Sequence, residues 1–401
     1  MTAPDQGADL DEVREAAASA SPLDRIEYRD RIAAFGQIGV LRLVALLLLA
    51  GQLLVVAGVE RPDLLHPSAV GTDPSTYYAA GQRLNVGHPL YGPLQPGDRA
   101  VPGYPKLFPA PILSPPLIAV LWRPLALLPG GSSMDLWWLG GLVLLTGLTA
   151  AFALVAQRRH LVILVAVLIL GLPLTLLAGG SYRYPGFNSP VAFAALSGNV
   201  NAYLVPLFAL TWWASTRGRT RLAGSAAALA TALKLGPLVL LWWFVTQRSW
   251  RSARAFIVAS LVLAVAGLVF AGLQANVDFV HLALGGDVAA SRLSVPGLLH
   301  RLFHTRDSVA HLGTIFAIVA GLAAIYLLRS RPRAAFAAAI LTTIYSSPVV
   351  LEGNLALLVA LAAPWVPGHH GVSAELSATV EPTQPGLDRT RDAPPAESNV
   401  G

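Results

Sequence analysis

The chain has 401 residues, of which 54% are hydrophobic and 12% are charged, and its mean hydropathy is +0.58. Because soluble globular domains carry about 25% charged residues, this composition excludes that class. The sequence contains no cysteine, which excludes disulfide bonds and thiolate chemistry. The net charge of +6 is typical of arginine-rich cytoplasmic loops in membrane proteins and does not indicate nucleic-acid binding.

Long apolar runs, for example at 38–59, 136–155 and 256–273, predict helices that cross a membrane. A helix of roughly 20 apolar residues spans a hydrocarbon core of about 30 Å. The sequence therefore predicts an all-α polytopic membrane protein with about ten transmembrane helices and a long first extracytoplasmic loop. We expect this multi-pass protein in the plasma membrane.

The predicted transmembrane core, 37–368, lies between two polar ends. Residues 1–36 place Arg and Tyr side chains next to the first span, which indicates a cytoplasmic tail with an interface helix. Residues 369–401 are rich in Pro, Glu, Thr and Asp and predict a disordered cytoplasmic tail. Within the core, 60–110 and 274–308 are the two predicted outer loops.

Clusters of arginine predict which loops face the cytoplasm. They lie at Arg25–Arg31, Arg158–Arg159, Arg217–Arg221, Arg248–Arg254 and Arg329–Arg333. If all of them lie inside, an even number of crossings separates neighbouring clusters. The predicted crossings are then 38–59, 134–156, 161–178, 191–214, two short helices within 222–247, 254–273, 309–328, 333–347 and 353–367.

Two segments do not fit a simple crossing. The apolar segment 110–128 begins with prolines that suit a helix start. It either lies on or dips into the outer face, or it crosses fully and puts Arg158 outside. The segment 222–247, with about 26 residues, is too short for two ordinary spans. Because a broken helix is tolerated at a Gly-Pro step that lines a polar cavity, we expect Lys234, just before Gly236-Pro237, at the outer tip.

On this topology the unusual polar side chains of the core gather on the outer side. The candidate site residues are Asp73, Tyr77, Tyr78 and His88 in the first outer loop, Asn199 and Asn201 in 191–214, Lys234, Arg292 and Arg301 in the second outer loop, and Glu352 at the start of the last span, where the polar Asn354 also lies. Ionisable groups at membrane depth are costly and mark candidate functional sites. It stays open that the two arginines only contact lipid headgroups and that the two asparagines only bond neighbouring helices.

These residue types suit one kind of chemistry. Separated cations would hold a phosphate and neutralise its charge as it departs. The carboxylate of Asp73 would take a proton from an attacking hydroxyl, or it caps a helix as the N-cap residue, and the two roles are compatible. The sequence has no P-loop and no metal-binding motif, so we expect neither a metal nor a cofactor.

Short motifs follow one another in a specific order between about Val40 and Pro364. They are Asp73-x-x-x-Tyr77-Tyr78-Ala79-Ala80-Gly81, Gly87-His88-Pro89-Leu90-Tyr91, Ser114-Pro115-Pro116, Pro124-Leu125-Ala126, Gly198-Asn199-Val200-Asn201, Ala223-Gly224, Lys234-Leu235-Gly236-Pro237, Ser294-Val295-Pro296-Gly297-Leu298-Leu299-His300-Arg301 and Ser347-Pro348. In these motifs the chain resembles glycosyltransferase family 87, the polyprenyl-phosphate-mannose-dependent α-mannosyltransferases of actinobacterial envelopes. The resemblance implies the C-type membrane glycosyltransferase fold and makes Asp73 the catalytic base.

The chain departs from that family at two places. It has Gly198-Asn199-Val200-Asn201 where the family usually has Gly-Gln-x-Asn, and it has no histidine in Leu351-Glu352-Gly353-Asn354. The resemblance implies transfer of a hexose, with mannose expected, from a polyprenyl-phosphate sugar to a glycolipid or lipoglycan on the outer face of the membrane. The cations expected to bind the donor phosphate are chosen from Lys234, Arg292 and Arg301. The alternative is a transporter or flippase of a lipid-linked sugar, which would need polar residues at several depths.

Overall fold

The computed structural model describes residues 37–54, 72–91, 114–169, 190–196, 198–285, 294–295, 307–347 and 352–365. Every regular element within these ranges is a helix, which confirms the predicted all-α class. The chain divides into two units, Met1–Val366 and Pro367–Gly401, and the second lies outside the described ranges. The tails at 1–36 and 369–401 therefore stay predictions.

Twelve α-helices follow one another within the described ranges. They are α1 Gln37–Leu54, α2 Thr72–Val86, α3 Pro116–Leu125, α4 Gly130–Val155, α5 Arg158–Ile169, α6 Pro190–Leu196, α7 Asn201–Thr216, α8 Thr220–Leu233, α9 Val239–Thr246, α10 Trp250–Gly285, α11 Asp307–Leu327 and α12 Pro332–Tyr345. A short 3₁₀ helix, Gly236–Leu238, precedes α9. The 3₁₀ helix Glu352–Trp365, named the closing helix below, follows α12.

Three of the described helices are long and apolar enough to cross a membrane. They are Gln37–Leu54, Ser132–Val155 within α4 and Trp250–Ala283 within α10. Each overlaps a crossing predicted from the sequence. The remaining apolar helices are shorter in the described ranges, so the count of about ten crossings and their orientation stay predictions.

Helix α3 is too short to cross a membrane by itself. Its ten residues extend about 15 Å, half the thickness of the hydrocarbon core. Pro115 is its N-cap residue and Pro116 its first helical residue, as the prolines predicted. Because Ile118 and Trp122 on this helix are fully buried, α3 packs into the protein, and its length favours the interpretation of 110–128 as a helix that does not cross.

The predicted crossing 191–214 is not one continuous helix. Helix α6 ends at Leu196, and α7 begins at Asn201. Gly198, between them, has a φ of +58°, a left-handed conformation that a helix cannot contain and that glycine adopts without strain. The sequence prediction of a single span was wrong here, and the break creates a polar turn at 198–200.

The predicted break at Lys234 is confirmed. Helix α8 ends at Leu233, and Lys234 has an extended backbone with φ −154° and ψ 130°. The 3₁₀ helix Gly236–Leu238 then leads directly into α9. The chain thus forms two short helices, as expected from the Gly-Pro step, with the lysine at their joint.

The predicted second outer loop, 274–308, is helical in its first part. Helix α10 bends at Gly272, where φ is 86° and ψ is 162°, and then continues to Gly285. The Asn276 side chain donates to the Gly272 carbonyl, with 2.7 Å between Nδ2 and O. This bond connects the two sides of the kink, and the chain is helical after it where the sequence alone predicted a loop.

Small residues build the centre of the core. Ala223, Ala227 and Ala230 of α8 are fully buried, and α8 packs closely against α7 and α10. Alanine and glycine allow helix axes to approach closely, which is the common solution in membrane helix packing. The closing helix also packs against α7 and brings Asn354 to Asn201 at the start of that helix.

Candidate active site

Asp73 lies in the first turn of α2. The helix begins at Thr72, so Asp73-Pro74 starts a helix, with Asp73 inside the first turn and not at the N-cap position. A carboxylate in the first turn is still stabilised by the positive end of the helix dipole. Helix α2 is fixed against α3 at Gly81, where an added Cβ would lie 2.7 Å from the Trp122 carbonyl oxygen.

The turn at 198–200 is held against the start of α2. A Cβ on Gly198 would overlap Cγ of Pro74, the residue after Asp73. The indole of Trp137, on α4, donates to the Gly198 carbonyl, with 2.8 Å between Nε1 and O. Glycine at position 198 therefore allows both the left-handed turn and the close approach of α2. Together, the turn and this contact set the position of the next residue, Asn199.

Asn199 connects Asp73 to α7. Its Nδ2 donates to Oδ2 of Asp73 across 2.5 Å, and its Oδ1 accepts from the backbone N–H of Asn201 across 2.9 Å. Both ends of the amide are thus engaged by the protein. These bonds hold the carboxylate beside the start of α7, and the substrate contact predicted for Asn199 stays a prediction.

A second set of bonds connects α7 to the break at Lys234. The Nδ2 of Asn201 donates to Oδ1 of Asn354 across 2.7 Å. The Lys234 ammonium donates to the same Asn354 oxygen across 2.8 Å and lies 3.4 Å from Oδ1 of Asn201. The charge of Asp73 is also near enough to act on this ammonium. We call the five residues Asp73, Asn199, Asn201, Asn354 and Lys234 the polar network.

The Tyr77 side chain is buried and neutral and lies beside Asp73. Its ring lies 6.1 Å from Trp122 and 5.8 Å from Trp137, and its hydroxyl is hydrogen-bonded to the Ser114 side chain and the Val200 backbone. Burial first, and the charge of Asp73 second, raise the pKa of Tyr77 well above its usual 10.0. The hydroxyl therefore stays protonated at physiological pH and cannot serve as a base there.

The other candidates from the first outer loop lie away from the network. The Tyr78 hydroxyl points towards the start of α4, 3.4 Å from the Leu128 carbonyl oxygen. His88 follows the end of α2, about 20 Å along the helix from Asp73. Arg292 and Arg301 lie outside the described residues, and so does the side chain of Glu352, although its backbone starts the closing helix.

Two residues that build this site, Ser114 and Trp137, were not selected from the sequence, and a third, Asn354, was placed on the outer side without a role. Asn354 is the junction of the polar network, Ser114 holds Tyr77 and also accepts from the Tyr91 hydroxyl through its carbonyl, and Trp137 fixes the turn. Asn354 follows Glu352 by two residues, but an amide in an apolar run has no pattern that tells a site residue from an interhelical contact. Among the described residues no cluster of acidic or histidine side chains could hold a metal.

A protein-family model described as glycosyltransferase family 87 matches residues 113–351, more than half of the chain. The chain belongs to glycosyltransferase family 87. The match contains the turn residues Asn199 and Asn201 and the break at Lys234, whereas Asp73 and Asn354 lie outside it. Searches of curated proteins and of solved structures found no match.

Membership in family 87 makes the protein a glycosyltransferase, with a sugar donor and an acceptor. The predicted family is thereby confirmed. A glycosyl transfer needs a base for the acceptor hydroxyl and a stabiliser for the leaving group. The polar network of this glycosyltransferase supplies one carboxylate and one ammonium, joined by three asparagines.

Proposed function

We propose that this glycosyltransferase transfers a hexose, with mannose as the expected sugar, from a polyprenyl-phosphate sugar to a hydroxyl of a glycolipid or lipoglycan. The proposed site is the outer face of the plasma membrane. The polar network carries the proposal, because it couples Asp73 to Lys234 within one hydrogen-bonded set. A carboxylate suits an attacking hydroxyl, and an ammonium suits a phosphate.

In the proposed reaction the acceptor hydroxyl attacks the anomeric carbon while the bond from that carbon to the phosphate oxygen breaks. Asp73 takes the proton of the hydroxyl. The polyprenyl phosphate leaves with the electron pair of the broken bond, and the Lys234 ammonium stabilises its charge. One displacement inverts the configuration at the anomeric carbon, so a single base is sufficient.

Two neighbours of Asp73 support its assignment as the base. Asn199 donates to one carboxylate oxygen and thereby fixes the plane of the group. Tyr77 is buried and neutral, so it shields the carboxylate from water on one side without competing for the proton. Positioning of this kind is a large part of catalysis, since small errors in the position of a reacting group can cost about 10²-fold in rate.

The remaining candidates stay proposals for substrate contacts. Arg292 and Arg301 are proposed as further contacts to the donor phosphate, because guanidinium groups bind phosphate through two parallel hydrogen bonds. Tyr78, His88 and Glu352 are proposed to contact the sugar or the acceptor. The transporter alternative has less support, because family 87 membership indicates transfer chemistry.

The test is transfer from radiolabelled polyprenyl-phosphate mannose to extracted glycolipids, with Asp73→Asn compared at matched protein level. The Asn variant keeps the size of the side chain but cannot accept the proton, so we expect a loss of at least about 10²-fold. Asp73→Glu should also be slow, because the longer arm misplaces the carboxylate.

Three outcomes would contradict the proposal. A rate above about a tenth of wild type in the Asn variant would move the base elsewhere. Transfer from a nucleotide sugar without transfer from the lipid donor would contradict the donor class. Faster transfer from polyprenyl-phosphate glucose than from the mannose donor would contradict mannose as the transferred sugar.

A further inference from the structure

Asn354 has an unusual double task in the polar network. It is 3% exposed, and its Oδ1 accepts from both Asn201 Nδ2 and Lys234 Nζ, at 2.7 and 2.8 Å. A carbonyl oxygen has two lone pairs, so these donors use both. The two bonds also fix the orientation of the amide, because a flipped amide would turn its NH₂ group towards the ammonium.

Within the described residues, the hydrogen-bond acceptors of the Lys234 ammonium are neutral, and the charge of Asp73 acts on it without such a bond. Asn354 and Asn201 hold it through amide oxygens, at 2.8 and 3.4 Å. A lysine stem is flexible, and fixing it costs side-chain entropy that these two bonds offset. A carboxylate in the place of Asn354 would fix the ammonium as well, but it would also cancel the charge. Two amides orient the cation and leave its charge for an incoming anion.

We propose that Asn354 is a positioning residue that holds Lys234 for the phosphate of the lipid donor without placing a second negative charge beside it. Asn201 supports it by donating to the same oxygen. The inference rests on the proposed function, since it takes the donor phosphate as the anion. It goes beyond that function by explaining why a neutral amide, outside the matched family region, stands next to the only lysine among the described residues.

The test is Asn354→Asp, assayed for transfer and for binding of polyprenyl phosphate. Aspartate has the same shape and can still accept both hydrogen bonds, so the two bonds at Oδ1 would be retained. If Asn354 keeps Lys234 available, the KM for the lipid donor should rise about ten- to a hundredfold. The KM for the acceptor should stay near the wild-type value. Polyprenyl phosphate should bind correspondingly more weakly, and polyprenol, which lacks the phosphate, should bind the two proteins equally.

Asn85→Asp is the matched control. Asn85 also accepts from a cationic side chain, with 3.0 Å from Arg123 Nε to its Oδ1, and it also donates through its amide nitrogen. The substitution puts a carboxylate beside a cation at the other end of α2 from Asp73. We expect an unchanged donor KM in this variant, which would assign the effect at Asn354 to the site and not to the new charge.

Asn354→Ala serves if the Asp variant does not accumulate. It removes the oxygen that accepts from Lys234, so the KM for the lipid donor should rise in this variant too. Thermal unfolding in detergent measures how much of the variant is folded. A donor KM within twofold of wild type in either folded variant would overturn the inference while the proposed function stands. No transfer from the lipid donor by the wild type would overturn the proposed function, and the inference with it.

Discussion

Three asparagines separate the carboxylate of Asp73 from the ammonium of Lys234. The five side chains of the network come from four stretches of the chain, and the bonded pairs are 33 to 153 residues apart, except for the local bond from Asn201 to Asn199. All five residues were conspicuous in the sequence as ionisable or amide groups in apolar surroundings, but Asn354 received no role. The substrate role predicted for Asn199 stays a prediction, and the structure adds that its amide bonds Asp73 and the Asn201 backbone.

Replacement of Lys234 tests whether transfer needs the positive charge of its ammonium. Lys234→Met keeps most of the aliphatic stem and removes the ammonium, so folding should be little affected, since Asn354 retains its bond from Asn201. Loss of one preorganised charge at a leaving group costs about 10²–10³-fold, which is the decrease that we expect in transfer. Lys234→Arg should rescue only part of it, because a planar guanidinium does not replace a compact point charge between two amides.

The measurement is the rate of transfer from the polyprenyl-phosphate donor at saturating acceptor, normalised to folded protein. The Arg variant controls for positive charge as such. Wild-type rates in the Met variant would show that the leaving phosphate is stabilised by other groups.

At the scale of elements, the site depends on a helix that is interrupted. The turn at 198–200 divides what hydropathy predicted to be one span and places Asn199 against the first turn of α2. The break after α8 similarly places Lys234 beside the closing helix. The second break was predictable because Gly and Pro stand together there. The first was not, because a single glycine in an apolar run is usually helical in a membrane protein.

Gly198→Ala tests the importance of this turn. Alanine at a φ of +58° is strained by about 1–2 kcal/mol. Its Cβ would in addition overlap the Pro74 ring, so α2 must shift relative to Asn199. We expect the transfer rate to fall by at least about tenfold, because a small displacement of the carboxylate is costly, together with a lower melting temperature.

Gly218→Ala is the control for backbone strain alone. Gly218 has a φ of +67° in the connection between α7 and α8, and a Cβ added there would meet no atom within 4 Å. This variant should lose a similar amount of stability and keep its specific activity. Equal activity losses in the two variants, measured per folded protein, would show that the contact with Pro74 has no special role.

At the scale of the whole molecule, the arginine clusters predict which end of the helix assembly faces the cytoplasm. Those at Arg217–Arg221, Arg248–Arg254 and Arg329–Arg333 all lie at helix connections. The Gln247 side chain donates to the Arg329 carbonyl, so two of these connections meet at one end of the structure. Clustering of arginine at one end is the pattern of a cytoplasmic face.

Single cysteines test this orientation, since the chain has no native cysteine. Val86, in the predicted first outer loop, is 62% exposed, and Thr216 and Ser330 are exposed near the arginine clusters. A membrane-impermeant maleimide applied to intact cells should label Val86→Cys. Thr216→Cys and Ser330→Cys should react only after permeabilisation. Labelling of the Ser330 variant from outside would reverse the predicted topology.

The sequence by itself determined the class of the protein. Apolar length and low charge gave a helical membrane protein, the Gly-Pro step gave the break at Lys234, and ordered motifs gave family 87. These properties are local, because a helix, a break or a motif is encoded by neighbouring residues. Asp73 was selected from the sequence and lies at the start of a helix, and its role as the base stays a proposal.

Only the tertiary structure decided how the polar residues are connected. That Asn354 meets Lys234 and Asn201 depends on how the closing helix packs against α7, and that Asn199 reaches Asp73 depends on the left-handed turn at Gly198. The physical reason is that apolar helices in a membrane have no periodic pattern that fixes their partners, because lipid and protein surroundings are similarly apolar. Close packing of small residues and a few buried hydrogen bonds select the arrangement, and these form between residues far apart in the chain.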